Sequence, residues 1–332
     1  MVAKRASGEM ARAHPEPDRI GAAIVRLHGR LWSMAICPGH VSLAWRCAGW
    51  LRCAVVLSIC GGGVVGVTMP RPARSEPAAA ATAFLPGNGW TTTRRLATPH
   101  ATQAAAADRD HLYAISSTTV ARYCRRSGRL LETATSPSAR HLNSGFLHNG
   151  DLYLAHSNYP AKPHESDIRR YTPGSGTLQL HHTFTDPPGS LVWCVRRDGN
   201  WWCCFAHYGE ENGRTCLIEY ADGGLERERR RLRFPESVIA DFDGMSASGG
   251  IWAGDTLLAS HHHFPVLYQL ALPGAADPPG RLKLVAVWRC PFPGQGFAVD
   301  PAGAAGGSGA WPRLVGIDRP DRVVVLAEPE RE

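Results

Sequence analysis

One pattern recurs five times between residues 102 and 326 of this chain, and a recurring pattern of that length limits the fold more than any composition does. Each copy has to be one supersecondary unit that buries its apolar face only by stacking on its neighbours. The pattern is an apolar residue, two variable residues, a tyrosine or leucine, and a turn. It reads Val120-Ala121-Arg122-Tyr123, Ile168-Arg169-Arg170-Tyr171, Leu217-Ile218-Glu219-Tyr220, Leu267-Tyr268-Gln269-Leu270 and Val323-Val324-Val325-Leu326, with steps of 48, 49, 50 and 56 residues. Before each copy stands a Gly or Asp turn and a short apolar strand: His111 to Ser116, Asp151 to His156, Trp201 to His207, Thr256 to His261 and Arg313 to Asp318. A third element opens each repeat, at Gln103, Ser144, Ser190, Ser248 and Gln295. The segment leading to the next repeat supplies a fourth strand.

Four short antiparallel strands per repeat, separated by Gly, Pro and Asp turns, are the grammar of a propeller blade. Helical periodicity is absent, and a β-sandwich has no reason to repeat its sequence. The expected fold is therefore all-β, a β-propeller of about five four-stranded blades over residues 88–329. Six blades is the alternative count if 227–244 or 84–100 forms more than one strand. The last repeat ends at the C-terminus without an outer strand, so Trp90 to Leu96 is expected to supply it and close the ring, which removes two open sheet edges.

The formal net charge of +7 is unevenly placed. Residues 1–76 hold ten Lys or Arg against four Asp or Glu, and the remainder is close to neutral at +1. The basic footprint of a nucleic-acid binder is missing from the repeats. Residues 1–76 read as a leader, with arginines before an apolar segment at 53–67 that has the length of a signal-peptide core, and 77–87 as a linker. The chain is expected to be exported, to the periplasm or outside the cell, or held at a membrane by the leader alone. Six cysteines follow the leader (124, 194, 203, 204, 216 and 290), enough for three disulfides. The four between 194 and 216 fall within one repeat, where neighbouring strands bring such residues together.

Superimposing the second elements aligns Ser116, His156, His207, His261 and Asp318. Equivalent positions on inner strands converge near a propeller's axis. His156, His207, His261 and Asp318 are thus candidate ligands for a divalent transition metal such as zinc, iron or manganese. The three histidines are also candidate acid–base groups. The competing reading is a structural polar channel in which strand-end histidines bond backbone, and a one-residue slip of the alignment turns each side chain to the other face.

The run Gln295-Gly296-Phe297-Ala298-Val299-Asp300 and the apolar strands with polar ends resemble secreted bacterial lactonase-like and cycloisomerase-like propellers. They resemble gluconolactonase-type and NHL-type propellers more loosely. The acidic metal ligands of the gluconolactonase type are missing, so that activity does not carry over. Together with the leader and the aligned histidines, the resemblance gives the expectation of an exported monomer with a histidine-lined channel, acting as a metal-dependent lyase, lactonase or isomerase on a small carbonyl-bearing or sugar-derived substrate. A non-catalytic binding propeller for a glycan or protein ligand is the second expectation.

Overall fold

The computed structural model describes residues 84–330, apart from 85, 222–223 and 303–310, and, ahead of them, two short antiparallel pairs, Ile24–Leu27 with Arg30–Ser33 and Val41–Leu43 with Val55–Leu57. Apart from those four strands, the expected leader over 1–76 lies outside the described residues, and of its apolar segment at 53–67 only Val55–Leu57 is described. The first propeller strand, β1 (Trp90–Ala97), does not begin a blade. Blade 1 is β2 (Ala104–Ala107), β3 (His111–Ile115), β4 (Thr119–Cys124) and β5 (Leu130–Thr135). Blade 2 is β6 (His141–His148), β7 (Asp151–Ser157), β8 (Ser166–Tyr171) and β9 (Gln179–Thr183). Blade 3 is β10 (Ser190–Arg197), β11 (Asn200–Ala206), β12 (Cys216–Tyr220) and β13 (Glu228–Arg233). A short helix, α1 (Glu236–Asp241), precedes blade 4, which is β14 (Gly250–Ala253), β15 (Thr256–Ser260), β16 (Val266–Ala271) and β17 (Lys283–Arg289). Blade 5 is β18 (Ala298–Val299), β19 (Leu314–Asp318) and β20 (Val323–Pro329), and β1 is its fourth strand.

Five four-stranded sheets in a ring make a five-bladed β-propeller. The ring closes as expected, with Val323 opposite Ala97 and Pro329 opposite Trp90. Residues 227–244 give one outer strand and α1, not another blade. Gly87, assigned to the linker, already pairs with Trp288, donating to the Val287 carbonyl at 2.9 Å and accepting from the Arg289 amide at 2.8 Å.

Local chemistry fixes the hairpins. Asn149-Gly150 and Asp198-Gly199 join inner strands to second strands with positive φ at both residues (51° and 85°, 50° and 76°). Two such residues form the two-residue turn whose twist matches the strands. At the axis the side chains are small: Ala104 to Ala107 are all buried. A Cβ on Gly250 would come within 2.6 Å of the Trp193 ring, so glycine there lets blades 3 and 4 meet. Trp193, Trp201 and Trp202 are buried in the packing between blades. The six propeller cysteines are all thiols, and Cys194 faces Cys203 across β10 and β11.

Candidate functional site at the channel mouth

The three aligned histidines do occupy equivalent places, at or just beyond the end of each second strand, but they turn away from the axis toward the loop that leads into their own blade. His156 donates from Nδ1 to Asp167 at 2.9 Å, and its Nε2 accepts the Arg140 amide at 2.9 Å. His207 Nε2 donates to the Pro188 carbonyl. His261 Nε2 donates to the Asp241 carbonyl at 3.0 Å, while its Nδ1 accepts the amides of His263 and Phe264 at 2.9 and 3.1 Å. Burial holds the His207 and His261 imidazoles below their ordinary pKa. Asp318 is engaged elsewhere, accepting from Arg95 of the closing strand at 2.8 Å. Among the described residues no three His, Cys, Asp or Glu side chains are gathered as a metal site. The structure does not bring His156, His207, His261 and Asp318 together.

Of the residues one place further on, Ser117, Ser157, Tyr208, His262 and Arg319, the last three line a cavity, and the two serines bond to residues that line it. Gln103 donates to Ser117 Oγ at 3.1 Å, and Asn143 donates to Ser157 Oγ at 3.4 Å. Tyr208, His262 and Arg319 line this cavity, of about 230 Å³, together with the strand-opening residues Gln103, Asn143, Ser248 and Gln295. Two β-bulges contribute to it. The register of β6 shifts between Leu142 and Gly145, and that of β10 between Leu191 and Trp193. The extra residues include Asn143 and Val192, both of which line the cavity. A bulge re-aims a side chain that regular pleating would send elsewhere.

Hydrogen bonds between adjacent blades hold this mouth rigid. The Leu142 amide donates to the Ser117 carbonyl at 2.8 Å, Asn143 Nδ2 to the Leu191 carbonyl at 2.8 Å, Ser260 Oγ to the Gln295 carbonyl at 2.8 Å, and the Gly296 amide to the Gln103 carbonyl at 3.0 Å.

The electrostatics of the cavity are one-sided. Ser248 Oγ lies 2.6 Å from His262 Nδ1. Burial, with His263 and Arg319 nearby, pushes the His262 imidazole down to about 3. His141 is lowered in the same way, by burial first and then by His156 and Arg319. Its ring tilts against Tyr159 at 5.3 Å, and Tyr159 packs on Tyr208 at 4.8 Å. Among the described residues no carboxylate lines the cavity, and Arg319 is the only residue of fixed charge that does. The site therefore combines two neutral imidazoles, two phenols and oriented amides beside one positive charge.

No family model matches this chain. No curated protein matches it either. Among solved structures it is similar to the glutaminyl cyclase of Myxococcus xanthus, with 12% identity and a TM-score of 0.46 over 74% of this chain and 99% of that one. It is also similar to the WD40 domain of Toxoplasma gondii coronin, with 13% identity and a TM-score of 0.35 over 69% of this chain and 55% of that one. A chain of a mitotic checkpoint complex aligns at 10% identity and a TM-score of 0.37, over 69% and 63% of the two chains.

The sequence marked Gln103, Ser248 and Gln295 as polar strand openings, and these line the cavity; in the second repeat it marked Ser144, next to the Asn143 that does so. His262 carried a signal too, as the middle residue of a histidine triplet in which only its neighbour fitted the alignment. Nothing in the sequence singled out Arg319, although it directly follows the aligned Asp318.

Proposed function

We propose that the channel mouth is the active site of an enzyme that moves a proton next to a carbonyl group, a lyase or isomerase of small molecules. The observation that carries this reading is the pair of half-buried neutral histidines, His141 and His262, bordering one polar cavity beside Arg319. Abstracting a proton α to a carbonyl needs a base at the carbon and a donor at the oxygen that gains charge. With the Ser248 hydroxyl donating to Nδ1, the proton of His262 sits on Nε2 and is available to the substrate oxygen. A histidine whose pKa lies near 3 is a weak base but a sound neutral donor, as in other enzymes that polarise a carbonyl with uncharged imidazole. His141 takes the carbon-bound proton. The electron pair moves to the carbonyl oxygen, and the intermediate then regains the proton at another position or expels a β-substituent. The blade-pattern resemblance to cycloisomerase-like propellers agrees with this chemistry.

The test is incubation of the purified protein in deuterium oxide with hydroxy acids, keto acids and lactones, followed by proton NMR. Deuterium uptake or product formation is expected with at least one of them, and His141→Gln or His262→Gln should reduce it by about 10²–10⁴-fold. Compounds that raise the melting temperature without exchange or turnover would overturn catalysis and leave a binding propeller.

A further inference from the structure

Resting on the reading of the mouth as the site, we propose that its ligand is a small hydroxy carboxylate, with the carboxylate on Arg319 and the hydroxyls donating to the side-chain oxygens of Gln103 and Gln295. Three observations converge on that class.

The first is the unbalanced charge. Arg319 is exposed at the rim and forms no ion pair among the described residues, although most arginines around it do. It borders the cavity together with His141 and His262, and no carboxylate among the described residues lines that cavity to balance its charge. A carboxylate supplies the missing charge and matches the planar guanidinium fork with two parallel bonds.

The second is the orientation of the amides. Gln103 commits its amino group to Ser117 Oγ at 3.1 Å, and Gln295 commits its own to the His262 carbonyl at 3.3 Å. Each side-chain oxygen is left without a protein donor among the described residues, and both side chains border the cavity. An acceptor of this kind is satisfied by a ligand that donates, and hydroxyls do so while also accepting from Tyr or His donors.

The third is the backbone at Gln295. It is 4% exposed and sits at φ 68°, a left-handed conformation uncommon for a residue with a side chain. Its neighbours lock it there: a Cβ on Gly294 would fall 1.8 Å from the His262 carbonyl oxygen, and one on Gly296 2.6 Å from the Ala104 Cβ. A strained conformation retained where glycine would be easier places this side chain for a task. The volume of about 230 Å³ equals roughly seven or eight waters, enough for a chain of four to six carbons.

Isothermal titration of the full chain with a matched four-carbon series tests this: threonate, butyrate (carboxylate without hydroxyls) and threitol (hydroxyls without carboxylate). Threonate is expected to bind at least about tenfold more tightly than either comparator, the factor that one charge-assisted bond supplies. Arg319→Gln, a change at an exposed side chain, should erase the preference over threitol, and Gln295→Ala the preference over butyrate. Threitol equal to threonate, with Arg319→Gln silent, overturns the anion anchor. Butyrate equal to threonate overturns the hydroxyl part. Absence of threonate binding overturns the proposal as a whole. Ser248→Trp, which fills the mouth, separates these outcomes from failure of the site itself. Threonate binding that survives this substitution in a folded protein lies elsewhere, and the assignment of the mouth falls with it.

Discussion

Gln295 shows how one residue can carry a cost that the fold does not need. A side chain in the left-handed region costs about 1–2 kcal/mol relative to glycine, and this one is buried between two glycines whose neighbours leave no room for a Cβ. Comparing Gln295→Gly with Gln295→Ala isolates the strain, since both remove the amide but only alanine keeps a Cβ. The glycine variant is expected to be more stable than the alanine variant by about 1 kcal/mol in urea denaturation, and both should lose ligand affinity. Equal stabilities would mean that the backbone there is not strained. The same scale explains what was misjudged from sequence. The repeat alignment correctly brought His156, His207 and His261 into register with one another. Facing alternates with every residue along a strand, however, and bulges at Asn143 and Val192 shift it again. Tyr208, His262 and Arg319, which line the cavity, stand at the next position, and no repeat pattern states which of two adjacent residues points inward.

At the scale of the element, the aligned histidines act as latches between a strand end and the loop that feeds its blade. His261 is the most fully engaged, bonded to Asp241 at the end of α1 and to the two amides of its own turn. Protonation of Nδ1 would remove the acceptor for both amides. Because burial holds its folded pKa below the usual 6.5, the unfolded chain takes up a proton that the folded chain refuses. Its contribution is whole above pH 6.5 and is lost as the pH falls below that value, at up to about 1.4 kcal/mol per pH unit. His261→Ala is expected to cost about 1–3 kcal/mol at pH 7 and to flatten the fall in stability on acidification, measured by urea titrations from pH 7 to pH 4. An unchanged slope would show that other groups, such as His207 and His262, set the acid sensitivity. The elements themselves were legible from sequence because turn chemistry and strand content repeat together, as at Asn149-Gly150 and Asp198-Gly199. Helix α1 was not, being only six residues long.

The whole molecule depends on one long-range pairing. Blades 1 to 4 are each continuous in sequence, whereas blade 5 is completed by β1, which lies more than 220 residues away from β20. The Trp90 indole, 3% exposed, donates to the Pro312 carbonyl at 2.8 Å and packs edge-on against Trp311 at 5.6 Å. On the other side of blade 5, Arg125 of blade 1 donates to the fully buried Asp300 carboxylate at 3.2 Å. Closure thus joins a sheet pairing, an aromatic contact and a buried ion pair, and without β1 the strand β20 is left as an open edge. Trp90→Ala is expected to cost about 3–5 kcal/mol. A fragment beginning at residue 99 should lose its cooperative thermal transition and associate, whereas one beginning at residue 79 should keep a single transition. If the fragment starting at 99 melted as sharply as the one starting at 79, by circular dichroism and at the same temperature, the ring would be held by its blade-to-blade core rather than by its closing strand. The cavity at the mouth sharpens that comparison, since blades 5 and 1 bring Gln295 and Gln103 to it from the two sides of one junction. Loosening the closure should therefore weaken ligand binding before it unfolds the chain.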